Sequence, residues 1–101
     1  VELTYLVNLI GYDEWQESAY SKELSQGDVI TRDGEVLGIW RAAGYDLEDV
    51  NTGGQYEFVQ DGQSSVKFRE SFGTLDSRIS RGYALSKFSR AIREWYEAQD
   101  T

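Results

Sequence analysis

At 101 residues, with 40% hydrophobic and 14% aromatic side chains, the chain carries enough apolar material for one compact core and too little for two ordinary domains. It contains neither Cys nor His, which excludes disulfides, thiolate or imidazole metal sites, thiol nucleophiles and imidazole-activated serines, leaving carboxylates, Lys, Tyr and Ser for any chemistry. A net charge of −8 opposes nucleic acid through its long-range field, and no run reaches the roughly 18–20 apolar residues of a membrane span.

Residues 1–10 alternate strictly, with Val1, Leu3, Tyr5, Val7 and Leu9 on a wholly apolar face, which predicts a strand ended by Gly11. The segment is short and carries Glu2 where a secretory leader carries positive charge, so the expected location is the cytoplasm. Asp13 is positioned to cap a short helix over residues 14–24, with Trp15, Ala19 and Leu24 near one stripe and acids in the first turn, where the helix dipole favours them.

Residues 28–42 read as a hairpin about Asp33-Gly34, a type I′ turn signal. A two-residue loop sets Ile30 opposite Leu37 and Thr31 opposite Val36. Gly38, inside the second strand, predicts a bulge or the close approach of another element. Residues 45–50 form an acidic loop or edge strand bracketed by Gly44 and Gly53-Gly54.

A second hairpin spans Asp61-Gly62. A loop of Asp61-Gly62-Gln63 pairs Phe58 with Val66, Tyr56 with Phe68 and Glu57 with Lys67, whereas a loop of Gln60-Asp61-Gly62 pairs Tyr56 with Val66. Residues 71–82 show no sustained helical period, and Arg78 to Arg81 read as a short strand. Residues 84–98 form an amphipathic helix, with Leu85, Phe88, Ile92 and Trp95 at intervals of three and four, and Ala84, Ala91 and Tyr96 widening the stripe. The expected fold is α+β: an antiparallel sheet of about five strands, two hairpins plus the N-terminal strand, with the C-terminal helix packed on one face of a single domain.

Charge is unevenly distributed. Residues 1–66 hold thirteen acids and three bases, while residues 67–93 hold seven bases and two acids. Arg78 and Arg81, with no acid one helical turn away, are the best anion-contact candidates, although the overall charge argues against nucleic acid. Of the carboxylate clusters, Asp13/Glu14/Glu17 suits a helix start and Asp33/Glu35 a hairpin tip; Asp46/Glu48/Asp49 has no evident structural task and lacks the pattern of a calcium loop. It reads as a solvated acidic face.

Fourteen aromatics are many for this length. Those in irregular stretches, including Tyr12, Trp15, Tyr45 and Phe72, together with Trp40, are the candidates for a partner surface or ligand cleft. No motif implies a cofactor, a metal or a catalytic centre. The expected function is therefore a non-enzymatic binding module that works through protein–protein contacts with an unknown partner and self-associates as a dimer. Two alternatives stand beside it: an acidic mimic of DNA that occupies a nucleic-acid-binding protein, and a small-ligand protein with a cleft lined by Trp15, Trp40 or Tyr45.

Overall fold

The computed structural model describes residues 7–49, 52–75 and 77–99. The fold is α+β, with elements in the order β1 (Val7–Leu9), α1 (Tyr12–Glu17), β2 (Gln26–Thr31), β3 (Val36–Ala43), β4 (Gly54–Gln60), β5 (Val66–Phe72) and α2 (Arg78–Ala98). The strands form one antiparallel sheet in the order β1-β2-β3-β4-β5, each paired with its neighbour in sequence. The sheet curls about α2, which touches β5, β4 and the far strand β1. Because the strands run up and down, the β1–β2 and β3–β4 connections share one end of the sheet with the start of α2, and the β2–β3 and β4–β5 turns share the other.

The strand expected over residues 1–10 is present at Val7–Leu9; the residues before it lie outside those described. The first helix is shorter than expected. It starts after Gly11, in the left-handed region with φ 88°, which caps the helix in place of Asp13, and Asp13 falls in the first turn. It stops after Glu17 because Ala19 and Tyr20 both take positive φ, at 61° and 65°. The chain then makes only a 3₁₀ turn at Lys22–Leu24, and Leu24 is exposed.

Both hairpins differ in register from expectation, each for the same reason. At the first, Thr31 N–H donates to Glu35 O and Gly34, at φ 89°, occupies the third loop position, so the loop has three residues and not two. Ile30 then faces Val36, while Val29 faces Gly38, and Leu37 is the extra residue of a bulge. The bulge turns Leu37 and Trp40, three apart, to the same interior. Gly38 is required there: a Cβ would collide with the Val59 carbonyl on β4.

At the second hairpin Phe58 faces Phe68, Tyr56 faces Glu70 and Glu57 faces Arg69, with a further register shift that skips Lys67. Neither expected loop produces this pairing. A bulge inserts its extra residue without any turn signature, which is why turn residues alone misplace the register.

The helix over residues 84–98 is confirmed and extended. It begins at Arg78, where a short strand was expected, because the Ser77 side chain caps it by accepting from Ser80 N–H at 3.1 Å. Its buried stripe is Arg81, Ala84, Phe88 and Ile92, with Leu85, Trp95 and Tyr96 partly buried alongside. Burying Phe88 and Ile92 contributes roughly 1.5–3 kcal/mol each in gross terms. The core they complete is centred on Trp15, Trp40, Tyr56 and Phe58, all at 0% exposure.

Candidate functional site

Tyr12, Trp15, Tyr20 and Tyr45, aromatics outside the regular pattern, converge inside the molecule, whereas Tyr83 is 66% exposed. Trp15 is their hub, with ring centroids of Tyr12 at 5.6 Å, Tyr20 at 5.2 Å, Tyr45 at 5.7 Å, Trp40 at 6.2 Å and Tyr56 at 6.2 Å. Most of these pairs meet edge to face, the arrangement that ring quadrupoles favour. Their polar tips are answered internally. The Tyr12 and Tyr56 hydroxyls are 2.7 Å apart; Trp15 Nε1 donates to Tyr45 Oη at 3.1 Å, which donates to Tyr20 O at 3.0 Å; Trp40 Nε1 donates to Ile10 O at 2.8 Å. Burial raises the pKa of both Tyr12 and Tyr56 above the ordinary tyrosine range, which favours the protonated hydroxyl pair in the folded state.

This arrangement packs Trp15, Trp40, Tyr45 and Phe72 into the core and not on a surface or cleft wall as expected, whereas Tyr12, although only 6% exposed, does line a groove between β1 and α2. All five are buried, and no buried side-chain nitrogen or oxygen among the described residues lacks a partner. Aromatics with satisfied tips have no need of solvent, so irregular backbone around them is no sign of exposure.

Arg81 is corrected in the same way. It is 6% exposed, donates from Nε to Leu75 O and from Nη1 to Gln16 Oε1, both at 2.7 Å, and lies 4.8 Å from the Tyr20 ring centroid. It ties the start of α2 to α1 and is not an anion contact. Arg78, one turn earlier, is exposed.

On the sheet face away from α2, Glu57 sits between two arginines, accepting from Arg41 Nε at 2.7 Å, Arg69 Nε at 3.1 Å and Gln55 Nε2 at 2.6 Å. Its burial pushes the carboxyl pKa up, but the hydrogen bonds from Arg41 and Arg69 outweigh that, and the net direction is down. The triad crosses β3, β4 and β5 and is an element of register.

An open concavity among the described residues lies beside Tyr12. A groove of about 870 Å³ runs between the edge strand β1 and one side of α2. Val7, Leu9, Tyr12 and Leu85 supply its apolar part, and Ser86 and Ser89 line the helix wall. Arg32, from the β2–β3 connection, and Arg90 and Arg93, from α2, bring three positive charges to it against one carboxylate, Asp13, in a chain whose net charge is −8. Arg93 lies 3.5 Å from Glu97, and Arg90 makes no ion pair among the described residues. The basic character of residues 67–93 was visible in the sequence; the contribution of Arg32 was not, because 58 positions separate it from Arg90 and only the sheet topology brings them together.

No helix among the described residues is long and apolar enough to cross a membrane. No group of three or more carboxylates among the described residues is arranged to hold a metal ion. No protein family, curated protein or solved structure matches the chain.

Proposed function

We propose that the protein is a non-enzymatic binding module that acts through protein–protein contacts and associates with itself, using the groove between β1 and α2 as its contact surface. The observation that carries this reading is the local inversion of charge: in a strongly acidic molecule, three arginines gather round an apolar floor beside the edge of a sheet. A sheet edge offers main-chain donors and acceptors to an added segment, and the neighbouring guanidinium groups select for carboxylates. Trp15, Trp40, Tyr45 and Phe72 are committed to the core, while Tyr12 adds its ring to the groove wall.

Nuclear magnetic resonance titration with a short synthetic peptide of Glu and Leu tests it. Amide shifts concentrated at Leu9, Leu85, Ser86 and Ser89 are expected. Shifts confined to other surfaces, or turnover in a broad substrate screen, would refute the reading.

A second reading, the acidic mimic of DNA, draws support from the end of the sheet where the β1–β2 and β3–β4 connections meet. There Glu14, Glu17, Glu23, Asp46, Glu48 and Asp49 are all exposed. Its test is competition with duplex DNA for a nuclease or repressor, and absence of competition would end it.

A further inference from the structure

The β3–β4 connection carries an acidic turn with an apolar tip. Tyr45, 4% exposed, anchors its start, and Lys22 Nζ donates to Tyr45 O at 2.7 Å. Beyond it, Asp46 Oδ1 accepts from Glu48 N–H at 2.9 Å, and Asp49 N–H donates to Asp46 O at 3.2 Å. Thr52 then bonds Asp49 O through both its N–H, at 3.0 Å, and its hydroxyl, at 2.6 Å. The turn is thus held in one shape by its own backbone and by a side-chain acceptor at its first position.

At its tip Leu47 is 42% exposed and has no place in the core, and Asp46, Glu48 and Asp49 around it are exposed as well. An ordered turn that displays a leucine among three carboxylates complements the groove in polarity and in sign of charge. Leu47 suits Val7, Leu9 and Leu85, and the carboxylates suit Arg32, Arg90 and Arg93. The turn cannot enter the groove of its own chain, because β2 stands between β3 and the edge strand in the sheet order and the turn is tethered to Tyr45.

We infer that the occupant of the groove is the 46–49 turn of a second copy of this chain. The inference rests on the reading of the groove as a protein-binding surface and names its partner. Two copies that exchange turns about a twofold axis make a closed dimer, and a one-way exchange makes a growing chain; both bury the same groups. Because the attraction is between opposite charges on a molecule that otherwise repels its own kind, association depends on salt and on both partners' charge.

Sedimentation velocity over a range of protein and salt concentrations tests it, with circular dichroism to verify folding. Wild-type protein is expected to self-associate at low salt and to dissociate as salt rises. Arg90→Glu with Arg93→Glu, and separately Glu48→Lys with Asp49→Lys, should each raise the dissociation constant by roughly tenfold or more. An equimolar mixture of these two variants should associate again, since each then offers the charge the other lacks. Leu47→Ser, which leaves charge untouched, should weaken association at every salt concentration.

A wild-type protein that stays monomeric throughout, or variants that associate as the wild type does, would overturn the inference. If the Glu and Leu peptide still shifts the groove resonances in that case, the groove reading survives and only the second copy is lost. If it does not, both fall together.

Discussion

Glu57 shows how one buried carboxylate can set the register of three strands. It takes three hydrogen bonds, two of them from arginines on the flanking strands, and is 5% exposed. Its lowered pKa means that its contribution to stability is present above the ordinary glutamate value near 4.5 and is lost as pH falls through the lowered folded value. Glu57→Gln is therefore expected to cost roughly 1.5–3 kcal/mol at neutral pH. In urea unfolding at a series of pH values, the gap between variant and wild type should close in acid; a gap independent of pH would contradict the charge assignment. The two candidate arginines separate just as clearly. Arg81→Ala strips Leu75 O and Gln16 of a charged donor and should cost roughly 1.5–3 kcal/mol, whereas Arg78→Ala on the exposed side should stay within about 0.5 kcal/mol. Equal effects in thermal melts would show that the burial of Arg81 is not what distinguishes them.

Among the elements, α2 is the one on which the sheet depends. Phe88, at 0% exposure, packs 5.9 Å from the Tyr56 ring, and Trp95 lies 5.6 Å from Phe58. Phe88→Ala should cost about 3–5 kcal/mol, measured by chemical denaturation, and a near-neutral result would mean that α2 does not close the core. The stripe that makes this argument was legible in the sequence, because 3.6-residue periodicity survives in any amphipathic helix. So were the five strands, their antiparallel sheet and the special position of Gly38, although not the order of the strands in it. The start of α2 was not, since Ile79 and Tyr83 point outward at 85% and 66% exposure and mask the period. The two bulges were hidden as well, because an extra residue on one strand leaves the alternation locally plausible in more than one register. The groove was the least legible feature, as its basic wall draws on residues from opposite halves of the chain.

At the scale of the whole molecule, the buried Tyr12 and Tyr56 pair links the edge of the fold to its centre and governs behaviour in base. Both hydroxyls have raised pKa values, so the stability they confer is complete below the ordinary tyrosine value near 10 and declines as pH rises above it, where the unfolded chain ionises first. Alkaline titration should show part of the tyrosinate absorbance appearing only together with the collapse of the far-ultraviolet circular dichroism. Full ionisation with the fold intact would refute the buried pair. The nearest-neighbour strand order bears on how the chain is made. Each strand pairs with the one that precedes it in the chain, but the helix that covers the Trp40, Tyr56 and Phe58 face is encoded after all five strands. At about 5–20 residues per second, the 21 residues of α2 take roughly one to four seconds to emerge. During that interval the naked sheet is a hazard to its neighbours on the same messenger. The surplus of ten negative charges in residues 1–66, already translated by then, is expected to keep nascent copies apart until the helix arrives to shield the face.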